Sequence, residues 1–261
     1  MKRSSIPEGA NVLPSTWALR VKRYPDGRMR KFKARFCARG DKQIEGVDYF
    51  DKYAPVVPWS TVRMLMILAA NKKWKTRQVD FSNAFVQATL KEQVYLTMPA
   101  GFSSKDHGKE AVLKLNKSLY GLVQAPLYWS NFLKDVLETN GLKQSKLDAC
   151  LFYHKNFIVL TYVDDCLFVG PNLDEIDSFI EKLGKKYPLT KETDDVFAFL
   201  GVNIKNNEDN TITLTQTGLI EKILKTVNME ESNRKATPCA QVPLGTHADG
   251  PLPVESWKPQ S

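Results

Sequence analysis

The chain has 261 residues, of which 43% are hydrophobic and 25% are charged. This composition provides enough apolar side chains for a sizeable folded core and excludes a wholly disordered chain. No apolar run reaches the roughly 18 residues of a membrane-spanning helix, so we expect no membrane partner. The four scattered cysteines form no C-x-x-C pair, which argues against a zinc site or a disulfide framework and favours a reducing compartment.

The net charge of +8 is concentrated in one short segment. Residues 17–42 contain ten Lys or Arg and two Asp, and the rest of the chain is neutral. Such a segment favours a phosphate-rich partner such as a nucleic acid. The alternative is a basic face that is simply solvated.

This basic segment is predicted to form a β-hairpin. The sequence Pro25-Asp26-Gly27 is typical of a turn. After it, residues 31–36 alternate between basic and apolar side chains. At the two-residue period of a strand, this pattern places the basic side chains on one face and the apolar ones on the other.

Helical and strand patterns alternate through the rest of the chain. The first predicted elements are a helix over 61–73 with a Ser60/Thr61 cap, a strand ending at Asp80, a short helical stretch, and a strand over 93–98. A helix over 128–140 that ends at Gly141 comes next, followed by hairpins that turn at Lys155-Asn156 and Asp164-Asp165. The last elements are a helix after an Asn172 cap, strands over 196–205 and 211–215, a helix over 217–228, and a Pro- and Gly-rich tail from Thr237. Because hairpins require antiparallel pairing, this order predicts an α+β fold.

A pair of adjacent carboxylates lies between two apolar strands. Asp164 and Asp165 would repel and desolvate each other in such a setting unless a cation neutralised them. Asp80, at the end of a predicted strand, is the candidate third ligand. Carboxylates without His or Cys partners suit Mg²⁺, and two such ions would clamp the oxygens of a phosphoryl transfer. The alternative for an isolated Asp-Asp pair is a surface turn.

The sequence also resembles a known family. Tyr162-Val163-Asp164-Asp165 in an apolar hairpin resembles the signature box of reverse transcriptases. Seven further phrases, in order, are similar to the Ty1/copia class of retrotransposon polymerases over roughly residues 15 to 240: KARFCARGDKQIEGVDY, YAPVV, TVR, QVDFSNAF, VYLTMPAGF, LNKSLYGLVQAPLYW and AFLGVNI. So many ordered motifs make chance agreement negligible.

The resemblance implies a right-hand polymerase fold, in which helices pack on one face of an antiparallel sheet. It implies fingers with the basic hairpin over 1–75, a palm over 76–205, and a primer-grip hairpin, partial thumb and linker over 206–261. The implied activity is RNA- or DNA-templated DNA synthesis from a primer and dNTPs. Two Mg²⁺ ions are the expected cofactors, with Mn²⁺ as an alternative.

The resemblance also assigns roles to individual residues. Asp80, Asp164 and Asp165 would be the catalytic, metal-binding carboxylates. Four residues would bind the nucleotide: Lys33 and Arg35 at the triphosphate, Phe85 at the sugar, and Gln124 beside nucleotide and template. Leu200-Gly201 resembles the turn that grips the primer end, so these residues would form the primer grip. From composition alone, Phe85 could equally be a core residue and Gln124 a surface residue.

The family context adds expectations about the wider protein. The chain would be a fragment of a polyprotein that continues into RNase H and also contains integrase. Its expected location is the cytoplasm, in virus-like particles if the element is active, or the nucleus. The alternative function is a nucleic-acid-binding remnant that keeps the fold and the basic hairpin but no longer polymerises.

Overall fold

Helices and antiparallel strands are mixed along the chain, which confirms the α+β class. The computed structural model describes residues 1–23, 28–108, 110–192, 196–207, 209 and 211–233. The helices are α1 (Trp59–Lys72), α2 (Ala125–Thr139), α3 (Leu173–Gly184) and α4 (Thr217–Thr226). The strands are β1 (Val12–Leu13), β2 (Ser15–Arg23), β3 (Met29–Ala38), β4 (Lys75–Phe81), β5 (Tyr95–Thr97), β6 (Val112–Lys114), β7 (Lys143–Gln144), β8 (Leu151–Tyr153), β9 (Ile158–Tyr162), β10 (Asp165–Gly170), β11 (Leu189–Glu192), β12 (Val196–Phe199), β13 (Val202–Asn206) and β14 (Ile212–Thr215).

The chain divides into two compact units. The first extends from Met1 to Thr215 and contains every strand among the described residues. The second begins at Gln216, and its described part contains α4 with exposed apolar residues along its length. Within the described residues, no helix is both long and apolar enough to cross a bilayer.

The central sheet has six strands in the order β11-β4-β10-β9-β8-β7, and each adjacent pair is antiparallel. α2 and α3 pack on one face of this sheet, whereas α1 and residues of β12 and β13 pack on the other. The expectation of helices on one face only is therefore wrong. In β10, Cys166 and Phe168 contact one layer, Leu167 and Val169 contact the other, and all four are fully buried. Since both faces of this strand are apolar, both must be covered.

Helix positions largely follow the sequence patterns. α2 begins at Ala125, three residues before the predicted start, with Pro126 in its first turn. Its predicted apolar stripe is buried, as expected of a core helix. The Asn172 cap of α3 is confirmed, because its side chain accepts hydrogen bonds from the amides of Asp174 and Glu175.

The predicted start of α1 is wrong. Pro58 occupies the cap position, and no side chain caps the helix. The Thr61 hydroxyl instead donates a 2.6 Å hydrogen bond to the carboxylate of Asp148. Ser60 and Thr61 are the second and third residues of α1, so neither occupies the position before the first helical residue from which a side-chain oxygen accepts from the free amides.

The region predicted as one strand over 196–205 is two strands, β12 and β13, which pair as a hairpin. Leu200 and Gly201 form its two-residue turn, with φ of 55° and 74°, as a type I′ turn requires. The turn that the family resemblance places at these residues is therefore confirmed. The Pro25-Asp26-Gly27 turn and the tail from Thr237 lie outside the described residues.

Candidate active site at a hairpin turn

One end of the central sheet brings the predicted carboxylates to adjoining positions. Asp165 is the first residue of β10 and lies directly opposite Asp80 of β4. Directly opposed side chains point to the same face of a sheet, with Cβ atoms roughly 4.5 to 5.5 Å apart. Asp164 precedes Asp165, and its carbonyl oxygen accepts a 2.8 Å hydrogen bond from the amide of Phe81. The backbone thus tethers the Asp164 turn to the residue after Asp80.

The turn itself occupies Val163 and Asp164, because Tyr162 pairs with Asp165. The predicted turn at Asp164-Asp165 is therefore wrong by one residue. Val163 adopts a left-handed backbone with φ of 52°. This conformation costs a β-branched residue about 1 to 3 kcal/mol, and hairpin turns normally place Asn, Asp or Gly there.

Trp129 of α2 contacts this turn from the face of the sheet that α2 and α3 cover. Its indole Nε1–H donates a hydrogen bond to the carbonyl oxygen of Val163. Its ring packs edge-on against Phe81, with 5.5 Å between ring centroids. Periodicity predicts Trp129 only as a core residue, and the side chain is indeed 1% exposed. Its hydrogen bond to the turn is not visible in the sequence.

The carboxylates repel each other. The pKa of Asp80 is raised, first by burial and then by the negative charge of Asp164. The positive charges of Lys33, Lys22 and Lys31 act in the opposite sense. A bound cation would remove the repulsion and favour the ionised carboxylates.

The oxygen donors at this end of the sheet are of the chemical type that a hard cation prefers. Carboxylate oxygens are preferred ligands of Mg²⁺, which keeps some waters and takes substrate phosphates as further ligands. Beside them, Gln78 Nε2 donates to Asp165 Oδ1 at 3.3 Å, while the buried Gln78 Oε1 has no hydrogen-bond partner in the described structure. Within the described residues, no three His, Cys, Asp or Glu side chains are grouped closely enough to hold a metal ion by themselves.

The β2–β3 hairpin carries a basic face, three lysines of which lie near enough to act electrostatically on Asp80. Cross-strand pairing places five basic residues on this face: Arg20, Lys22, Lys31, Lys33 and Arg35. The predicted alternation of basic and apolar faces is therefore confirmed. Burial and then the positive charges of Arg35, Lys22 and Lys31 lower the pKa of Lys33. An anionic ligand would relieve this crowding of positive charge.

An aromatic pair lies against Arg35 of the basic face. The half-buried ring of Phe85, in the 3₁₀ turn after β4, packs edge-on against Tyr120, with centroids 5.0 Å apart. The guanidinium of Arg35 lies 5.2 Å from the centre of the Tyr120 ring. The pKa of Tyr120 is raised, mainly by burial. The positive charge of Arg35 lowers this pKa, whereas the negative charges of Asp164 and Asp80 raise it. Tyr120 lies in the phrase LNKSLYGLVQAPLYW, but no role is predicted for it from the sequence. Its place beside the site is visible only from these contacts.

Gln124 is 0% exposed, so the surface alternative for this residue is wrong. Its Oε1 accepts a hydrogen bond from Gln43 Nε2, and its Nε2 donates to the backbone carbonyl of Asp48, both at 2.9 Å. Gln43 Oε1 in turn accepts a 2.7 Å hydrogen bond from the amide of Val123. Contact between Gln124 and a nucleotide would require its amide to leave these partners.

Comparisons with known proteins identify the family to which the chain is similar. A family model described as reverse transcriptase (RNA-dependent DNA polymerase) matches residues 2–241. The chain is 32% identical over 252 residues to the retrovirus-related Pol polyprotein from transposon RE2 of Arabidopsis thaliana, covering 95% of this chain and 17% of that polyprotein. It is 30% identical over 204 residues to the transposon Ty1-DR4 Gag-Pol polyprotein of Saccharomyces cerevisiae, covering 74% and 12%. The chain thus spans a small part of these relatives.

Among solved structures, a telomerase from Candida albicans, in complex with a fragment of telomeric RNA, matches 80% of this chain and 47% of that chain. The TM-score is 0.41 and the sequence identity is 11%.

Proposed function

The chain belongs to the reverse transcriptase (RNA-dependent DNA polymerase) family, in its Ty1/copia-type retrotransposon branch, and we propose that it adds dNTPs to the 3′ end of a primer. The observation that carries this proposal is the opposition of Asp80 and Asp165 across two strands, with Asp164 in the adjoining turn. Phosphoryl transfer depends mainly on positioning and charge stabilisation, which such a constellation can provide.

We propose that Asp80, Asp164 and Asp165 hold two Mg²⁺ ions, with Mn²⁺ as an alternative. Bound ions would stabilise the charge on the attacking and leaving oxygens. The protein supplies carboxylates at adjoining backbone positions, and the hydrogen bond from Gln78 orients Asp165. Burial and then the negative charge of Asp164 raise the pKa of Asp80, and this crowding of negative charge beside adjoining carboxylates supports a site that accepts cations.

The same end of the molecule offers groups for the nucleotide. We propose that Lys33 and Arg35 bind the triphosphate, since their cationic face acts on Asp80 and is crowded with like charge. Phe85 would contact the sugar, with its ring supported by Tyr120. Gln124 would support this region from the core, because its amide is already hydrogen-bonded there.

We further propose the division of a right-hand polymerase: fingers over 1–75, palm over 76–205, and primer-grip hairpin, partial thumb and linker over 206–261. Leu200 and Gly201 would contact the primer end. The partners would be an RNA or DNA template with its primer, and the RNase H and integrase parts of a polyprotein. The site of action would be the cytoplasm, in virus-like particles, or the nucleus.

A primer-extension assay tests the proposal. The wild-type chain should extend an annealed primer on an RNA template when dNTPs and Mg²⁺ are present, and Asp164→Asn should abolish extension while remaining folded. Equal extension by both proteins would contradict the assigned carboxylates. If the wild-type chain binds primer-template without extending it, the function is that of a nucleic-acid-binding remnant.

A further inference from the structure

Trp129 contacts both segments that carry the proposed catalytic carboxylates. Its indole N–H bonds to the carbonyl of Val163, the residue before Asp164. Its ring packs on Phe81, the residue after Asp80. In addition, the Phe81 amide donates to the carbonyl of Asp164 at 2.8 Å. One buried side chain therefore joins the turn to β4.

The Val163 backbone needs such a restraint. Its left-handed φ of 52° is strongly disfavoured for a β-branched residue. The side chain of Val163 is 40% exposed, so its own packing does little to hold this conformation. The hydrogen bond from Trp129 fixes the direction of the Val163 carbonyl, and thereby the peptide plane that leads into Asp164.

We infer that Trp129 is a positioning residue, whose indole N–H holds the strained Val163 backbone and so keeps Asp164 beside Asp80. The expected effect of Trp129 on nucleotide addition rests on the proposed polymerase function. Its effect on the backbone of the Val163 turn does not. Leu133 and Leu137 lie on the same buried stripe of α2, but their side chains have no polar group to offer the turn. Trp129 thus combines a core position with a specific hydrogen bond.

Removing the N–H while keeping an aromatic ring tests the inference. In Trp129→Phe, kcat for single-nucleotide addition should fall roughly 10- to 100-fold, as expected for misplacement of a reacting group by about 1 Å. The KM for dNTP should change by less than about threefold, because the basic face is untouched. If Phe does not support folding, 3-benzothienylalanine at position 129 keeps the indole shape without the N–H.

A second readout needs no activity. The Phe81 amide should exchange its hydrogen at least about tenfold faster in Trp129→Phe, since its acceptor lies in the released turn. Phe179→Leu is the matched control, because Phe179 belongs to the same core but packs on Phe157 and Phe168, away from the turn. This control should lower thermal stability and leave both kcat and exchange at Phe81 unchanged.

A second substitution in the turn distinguishes loss of the hydrogen bond from loss of core packing at Trp129. Glycine adopts a left-handed backbone without the steric cost that valine bears, so Val163→Gly in the Trp129→Phe background should restore most of the kcat and the protection of the Phe81 amide. A packing defect at Trp129 would not be repaired by removing a side chain from the turn. Unchanged exchange at Phe81 in Trp129→Phe, or failure of Val163→Gly to restore it, would overturn the inference. If no protein in the series polymerises while the exchange pattern holds, the proposed function fails and the positioning role stands.

Discussion

Asp80 lies directly opposite Asp165 in the antiparallel pair of β4 and β10, and both side chains are on the same face of the sheet. Like charges opposed in this way destabilise a sheet. Burial and then the charge of the adjoining Asp164 raise the pKa of Asp80. The arrangement opposes folding of the metal-free chain, which is characteristic of residues kept for function rather than stability.

Asp80→Asn should therefore stabilise the metal-free chain at neutral pH. Folding raises the pKa of Asp80, through burial and then the charge of Asp164, so its ionised form costs stability. That cost is fully present above the folded pKa, shrinks as pH falls through it, and is gone below the unfolded value near 3.9. Thermal unfolding should show a higher Tm for Asp80→Asn at about pH 8 and no advantage at about pH 3. A lower Tm for the variant at about pH 8 would contradict the repulsion.

The basic face should supply much of the salt-sensitive attraction for nucleic acid. Each lost phosphate contact flattens the slope of log affinity against log salt by about 0.7 for single strands and 0.9 for duplexes. Lys31→Gln with Lys33→Gln should flatten the slope by about 1.4 to 1.8. Lys185→Gln with Lys186→Gln removes the same charge from an exposed site next to α3 and should leave the slope unchanged. Equal slopes for the two double variants would mean that nucleic acid binds to another surface of the protein.

Phe85→Ala should increase the use of rNTPs relative to dNTPs. A ring beside the sugar leaves no room for a 2′ hydroxyl, and removing it opens that space. Because Phe85 is only half-buried, its loss should cost less than the about 3 to 5 kcal/mol typical of a core Phe→Ala. Steady-state incorporation of both nucleotide types checks this, with Phe85→Tyr as the control that keeps the ring. A folded Phe85→Ala protein with unchanged preference would mean that Phe85 only packs on Tyr120.

Gln124→Leu should destabilise the fold more than it weakens nucleotide binding. The change removes the acceptor of Gln43 Nε2 and the donor to the Asp48 carbonyl, and a buried unsatisfied group costs about 1 to 3 kcal/mol. Urea unfolding measures this cost, with Gln144→Ala as a control at an exposed hydrogen bond. Wild-type stability together with a much raised KM for dNTP would instead support direct contact with the nucleotide.

The sequence predicts those parts of the fold that follow from periodicity. The buried stripe of α2, the Asn172 cap and the two-faced hairpin are all as expected, because each depends on local spacing. The Leu200-Gly201 turn has no periodic signal, since apolar residues continue on both sides of it. It was predictable only from the resemblance to a family.

Other features depend on long-range contacts that spacing does not encode. The turn at Val163 violates residue preferences and is held by an indole 34 residues away in sequence. Gln124 is polar, yet it can be buried because Gln43 and the Asp48 carbonyl, from a distant segment of the chain, form hydrogen bonds with its amide. The site residue Tyr120 is recognisable only once Arg35 and Phe85 are seen around it.

Locating bound metal ions tests the central claim most directly. Crystals of the chain with Mn²⁺, a dNTP and a primer that lacks its 3′ hydroxyl should show two anomalous peaks about 3.5 to 4 Å apart. Carboxylate oxygens of Asp80 and Asp164 should lie within about 2.0 to 2.4 Å of the peaks. Peaks bound to other residues, or an ordered nucleotide with no metal at these carboxylates, would contradict the account.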